Sequence, residues 1–173
     1  ENIIVGEGID GLLGYLCRLF VSQEVSVVTS HGAYPTLNFH VAGYGGTLHF
    51  VKYKNDFEDV ERLLAETKRR KASIVYVANP DNPMGTFHTN TIMEDMINNL
   101  PEDSMLCLDE AYSEFVPKNK LPKIDPENPK VIRMRTFSKG YGMAGARIGY
   151  GIGSSELVKS FDKILGLIYK IFR

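Results

Sequence analysis

Short apolar runs alternate with amphipathic stretches along almost the whole chain. Ile3–Val5, Val25–Thr29, Thr47–Val51, Ser73–Ala78, Ser104–Leu108, Lys130–Thr136 and Arg147–Ile152 have the length and composition of strands. Between them the spacing predicts helices over Asp10–Phe20, Tyr34–Gly43 and Asp56–Arg70, a fourth capped by Thr89 and running to about Asn99, and a last one opened by Ser154 and Ser155 with Glu156 in its first turn. The Asp56–Arg70 pattern is the most regular. Asp56 stands where a cap belongs, and Val60, Leu63, Leu64 and Thr67 follow the i, i+3, i+4, i+7 rhythm of one buried face. Strands apolar on both faces and separated by helices predict a three-layer α/β sandwich with a mostly parallel central sheet. Pro117–Pro129, with four prolines, reads as a surface loop.

A length of 173 residues supports one core, and 24% charged residues with a net charge of -1 give no electrostatic case for nucleic acid or a membrane surface. Cys17 and Cys107 lie far apart in apolar runs, which predicts buried free thiols in a reducing, cytoplasmic compartment. His31, His40, His49 and His88 fall in separate elements without metal-ligand spacing. The sequence carries neither a signal peptide pattern nor a span of roughly 20 apolar residues.

Three charged groups change the picture, because each stands where a buried strand ends or begins. Asp109 follows Met105–Leu108, Lys139 follows Val131–Ser138, and Arg147 sits among Gly145, Ala146 and Gly149. The ends of parallel strands are where open α/β sheets hold ligands. Asp109 fits a helix cap or an ion pair, or a carboxylate facing a protonated ring nitrogen. A solvated lysine is the default reading of Lys139; against it, both flanks look buried, and a buried lysine either pairs or becomes a nucleophile. Thr136 and Ser138 offer hydroxyls beside it. Arg147 suits a phosphate in bidentate geometry, or a structural pairing with an acid. Tyr112 reads as a core aromatic or as a hydroxyl aimed at the same ligand. Asn79–Gly85 is a rigid turn whose Asn82 could donate an amide, and Tyr34, after another strand, could stack on a flat ring.

Gly6-Glu7-Gly8-Ile9-Asp10-Gly11 matches the dinucleotide pattern G-x-G-x-x-G between a strand and a helix. That reading also requires an acid at the end of the next strand, and Val25–Thr29 is followed by Ser30-His31-Gly32. The loop therefore points to a phosphate at a helix N-terminus rather than to a dinucleotide.

Taken together, Asn79-Pro80-Asp81-Asn82-Pro83-Met84-Gly85, Asp109-Glu110-Ala111-Tyr112 and Ser138-Lys139 through Arg147 resemble, in order and spacing, the fold type I pyridoxal-phosphate enzymes. Within these they are most similar to class II aminotransferases of the histidinol-phosphate type. The resemblance implies the large domain of the PLP-dependent transferase fold, with pyridoxal 5'-phosphate as cofactor. It implies Lys139 as the residue bonded to the cofactor and as proton shuttle, Asp109 on the ring nitrogen, and Asn82 and Tyr112 on the ring hydroxyl oxygen. Tyr34 and Ala111 would pack the two ring faces. Backbone groups of Gly8, Ile9 and Asp10, with Thr136, Ser138 and Arg147, would hold the phosphate. Ile9 departs from the hydroxyl or small residue often found there, so only its backbone is expected to take part.

The implied partners are a small-molecule amino donor and a 2-oxo acid acceptor, with the histidinol phosphate/glutamate pair as first expectation. An aromatic aminotransferase, a phosphothreonine-type decarboxylase, a C–S lyase and a cofactor-binding chain without turnover stay open beside it. Family members run to about twice this length. Residues 1–173 are accordingly expected to be an incomplete large domain without its N-terminal arm and C-terminal small domain, from a full-length homodimer. The apolar ending Ile164–Arg173 looks unlike the family's interdomain segment, and a truncated or frame-shifted chain is the expectation there.

Overall fold

A computed structural model describes residues 1–171, with residues 166–171 described by their backbone alone. Seven strands make one sheet: β1 (Ile3–Gly6), β2 (Ser26–Ser30), β3 (Thr47–Val51), β4 (Ile74–Ala78), β5 (Met105–Asp109), β6 (Val131–Thr136) and β7 (Gly149–Ile152). Their spatial order is β1-β7-β6-β5-β4-β2-β3. The pairs from β3 through to β6 are parallel, while β7 runs antiparallel to both β6 and β1. The helices are α1 (Gly8–Phe20), α2 (Thr36–Gly43), α3 (Val60–Arg70), α4 (Asn90–Asn98) and α5 (Ser155–Ile171).

Two apolar layers sandwich the sheet. Leu12, Leu13 and Leu16 of α1, Leu37 of α2 and Phe161 of α5 pack on the face that carries Tyr76, Cys107 and Met134. Leu63 of α3 with Met93 and Met96 of α4 pack on the face that carries Val75, Val77, Leu106 and Leu108. All five residues of β4 are buried, as a strand covered on both faces must be. Both cysteines are buried and free, and burial pushes the Cys17 thiol up to about 12. Among the described residues no helix is long and apolar enough to cross a membrane.

The expected three-layer architecture is what forms, with differences at element ends. The third helix begins at Val60 rather than Asp56, and its cap is Asp59, whose carboxylate accepts from Arg62 N at 3.1 Å. Asn55 and Asp56 instead adopt left-handed φ values of 51° and 63°, a conformation that Asn and Asp tolerate, in a turn where Lys54 and Phe57 exchange backbone bonds. Glu58, between turn and cap, is drawn into the core, where it accepts from Ser30 Oγ at 2.8 Å and from Ala78 N at 2.9 Å. Thr89 occupies the cap position of α4 without a side-chain capping bond, whereas Ser154 does cap α5 through Leu157 N at 3.3 Å. The strand expected from Arg147 starts only at Gly149, and Pro117–Pro129 is a loop with one 3-10 turn at Lys118–Lys120. The expectation for the ending falls partly on residues 172–173 and the side chains of 166–173, which lie outside the described residues.

The connection from β2 to β3 crosses one face of the sheet through α2, and that from β4 to β5 crosses the other through α4. Where neighbouring strands send their chains to opposite faces, a crevice opens at their carboxyl ends. That is where the pocket lies.

Candidate active site

The pocket is walled by strand ends and by the stretches of chain next to them. The segment after β2 brings Tyr34, the turn after β4 brings Asn82, and Asp109 with Ala111 and Tyr112 follows along β5. Thr136, Ser138 and Lys139 come from the end of β6, and Ile9 and Asp10 from the first turn of α1, with Arg147 beside them. Eleven residues singled out from the sequence thus border one pocket. Gly8, the twelfth, lies beneath Arg147: a Cβ there would stand 2.8 Å from the guanidinium Nη2.

One end of the pocket is built for an anion. The start of α1 has Glu7 at the cap position with no side-chain bond, so the first N–H groups of the helix are free to meet a ligand. Arg147 reaches over this turn, its Nη2 donating to the Glu7 carbonyl at 3.4 Å and its Nη1 to the Ala144 carbonyl at 3.2 Å. Asp10 stands 4.0 Å from the same guanidinium, a loose and half-exposed pairing. Thr136 Oγ1 lies 3.0 Å from Ser138 Oγ and accepts from Ser138 N at 3.1 Å, so the two hydroxyls share one spot. The crossing of β7 over this loop requires glycine, because a Cβ at Gly149 would come within 2.6 Å of the Gly8 carbonyl carbon.

Asp109 stands deeper, 5% exposed at the end of β5. Its Oδ1 accepts from Ala111 N at 2.9 Å and its Oδ2 from the Tyr76 hydroxyl at 2.7 Å. Burial pushes its carboxyl up to about 6, against the lowering effect of those two donors; Asp10 and Glu110 push the same way as burial. Glu110 turns to the opposite face, where its fully buried carboxylate takes Arg133 at 2.8 Å and Arg135 at 2.7 Å. It binds the sheet together and faces away from the pocket.

Lys139 follows the solvated reading and departs from the one its flanks suggested. Its flanking strands are buried, yet the lysine is exposed, in a tight turn closed by Gly142 N to the Lys139 carbonyl at 2.9 Å. The reason is geometric: β6 ends at Thr136, and the chain leaves the sheet before reaching the lysine. Its Nζ lies 5.5 Å from the centre of the Tyr112 ring, a cation–π distance that steers the amine to the pocket side. Arg147 is likewise outside any strand, in a left-handed turn with φ 52° that follows a 3-10 turn over Ala144–Ala146.

Tyr76 and Ala78 also border the pocket without having stood out in the sequence, beside Pro80 of the Asn79–Gly85 turn. Tyr76 sits inside the apolar run of β4 and reads as core. Only the register of β4 on β5, Ala78 opposite Asp109 and Tyr76 opposite Cys107, shows that its ring lies on the face of Asp109.

The chain is similar to several known proteins. A crystal structure of histidinol-phosphate aminotransferase from Sinorhizobium meliloti in complex with pyridoxal-5'-phosphate is 52% identical, with a TM-score of 0.90, over 94% of this chain and 45% of that one. Histidinol-phosphate aminotransferases of Thermococcus kodakarensis and Desulfotalea psychrophila are 36% and 33% identical over 95% of this chain. The chain spans about half the length of these curated relatives, 47% and 45%. The family model for aminotransferase class I and II matches residues 1–169. That match runs through every element that walls the pocket, from α1 to β7, and the chain belongs to the class I and II aminotransferase family.

Proposed function

We propose that this chain is the pyridoxal-phosphate-binding large domain of an aminotransferase that moves an amino group between an amine of the histidinol-phosphate type and a 2-oxo acid. One observation carries the reading: a buried carboxylate, an accessible lysine amine and an anion cradle converge on one pocket. These residues fit the cofactor. Each Asp109 oxygen accepts one bond and keeps a free lone pair for a ring N–H. The free N–H groups of α1, the guanidinium of Arg147 and the Thr136–Ser138 hydroxyl pair suit a phosphate.

When bound, pyridoxal phosphate supplies an aldehyde that condenses with amines and a ring that takes up the electron pair released at the substrate carbon. The protein groups have separate tasks. Asp109 would keep a proton on the ring nitrogen, Asn82 and Tyr112 would meet the ring oxygen, and Tyr34 and Ala111 would hold the ring flat between them. Lys139 Nζ would bond to the cofactor in the resting protein, then carry the proton to and from the substrate carbon. In the whole protein we expect a substrate-binding small domain, an N-terminal arm and a second copy of the chain, in the cytoplasm. The two buried free thiols support a reducing compartment.

Pyridoxal, which lacks the phosphate, separates the anion cradle from the rest. Arg147→Ala is expected to weaken pyridoxal phosphate about tenfold to a hundredfold, the worth of charge-assisted hydrogen bonds, and to leave pyridoxal affinity nearly unchanged. An equal loss for both ligands, or no loss for either, in equilibrium titrations would sink the phosphate assignment.

A further inference from the structure

The geometry points to Tyr76 as a positioning residue of this pocket, whose hydroxyl keeps the Asp109 carboxylate ionised and turned to meet the ring nitrogen of the cofactor. This role rests on the pyridoxal-phosphate reading above. In the parallel pairing of β4 with β5, Tyr76 and Ala78 share a face with Cys107 and Asp109. Tyr76 is two pairs back from the pair that holds Asp109, so its ring lies along the sheet and its hydroxyl ends 2.7 Å from Oδ2. The ring is 1% exposed and packed in the core with α1, where a phenylalanine would serve the packing alone. Among the described residues, Tyr76 is the side chain that donates to Asp109; the other donor is the backbone N–H of Ala111.

The bond matters because Asp109 is poised near neutrality. Burial raises its carboxyl to about 6, and the Tyr76 hydroxyl works against that rise. Tyr76 itself stays a phenol, since burial and the Asp109 charge push its own pKa well above the usual value. A donor that remains protonated next to an acid near its titration point sets the pH at which the acid is charged. Asp10 on α1 and Glu110, the residue after Asp109, both raise Asp109, Cys107 and Glu58 raise Tyr76, and the cations Lys139 and Arg147 border the same pocket. Without the hydroxyl, Asp109 holds its proton to higher pH, and a neutral acid cannot stabilise a protonated ring nitrogen. Cofactor affinity then falls on the acid side and recovers once the pH passes the new midpoint.

Carbon-13 NMR of aspartate-labelled chain without cofactor reads the first half, with the Asp109 signal assigned by its loss in Asp109→Asn. The expected result is a higher Asp109 midpoint in Tyr76→Phe than in the wild type. Titration of pyridoxal phosphate against pH reads the second half: the affinity profile of Tyr76→Phe shifts to higher pH by the same amount and rejoins the wild type above it. An unchanged midpoint, or an affinity loss equal at every pH, overturns the proposal. Should Tyr76→Phe fail to fold, the labelled Tyr76 ring of wild-type chain must sense the Asp109 titration and lose that response in Asp109→Asn; a ring signal blind to Asp109 overturns it equally. If the midpoint moves but wild-type chain binds no pyridoxal phosphate at any pH, the cofactor reading fails while the Tyr76–Asp109 coupling stands.

Discussion

Asp109→Ala is expected to lower the affinity for pyridoxal phosphate by roughly 30-fold to several thousand-fold at neutral pH, measured by equilibrium titration. A charged ring nitrogen whose buried partner is removed is left unpaired, and truncating one member of such a pair costs about 2–5 kcal/mol, at a factor of ten per 1.4 kcal/mol. The same change spares the fold. It leaves the Tyr76 hydroxyl and Ala111 N–H without their acceptor, yet it also removes a carboxylate that burial disfavours. Affinity and stability therefore separate, and circular dichroism with the titration shows it. A loss below threefold in a folded variant would place the ring nitrogen elsewhere.

Glu110→Ala has the opposite signature, a large loss of stability. The Glu110 carboxylate is fully buried and takes bonds from Arg133 Nε and Nη2 and from Arg135 Nε. Its removal strands two guanidinium groups that are only 12% and 21% exposed. Breaking a buried ion pair by removing one partner costs ~3–5 kcal/mol, or ~6–20 °C of melting temperature in a chain of this size. Removing all three charges at once, as Glu110→Leu with Arg133→Leu and Arg135→Leu, is expected to recover most of the loss, because apolar residues of similar volume need no solvation. Urea denaturation of the single and triple variants measures both. A single-variant loss under about 1 kcal/mol would mean that water already solvates the arginines.

These two neighbours show how far the sequence could be read. An acid closing an apolar run identified Asp109 as a strand-end group, because strand polarity alone puts such a residue in the crevice. Glu110, one residue on, was silent: alternation sends it to the other face, and its arginine partners lie on a strand whose register no local pattern shows. The same holds for Tyr76. Its ring looked like core, and it is core; the bond to Asp109 depends on how β4 slides on β5. Asp56, Glu58 and Asp59 are three nearby acids, of which Asp56 was the expected cap. Tertiary contacts divided them, one in a left-handed turn, one in the core against Ser30 and Ala78, one on the cap. The flanks of Lys139 suggested burial, but where the chain leaves the sheet is a property of the turn and not of hydrophobicity.

Covalent attachment is the most direct test of the central claim. Pyridoxal phosphate is added to the chain, the adduct is reduced with borohydride, and the peptides are weighed. Label concentrated on the peptide carrying Lys139, with visible absorbance lost in Lys139→Ala, is the expected result. Label scattered over the surface lysines, with the same spectrum in both proteins, would contradict it.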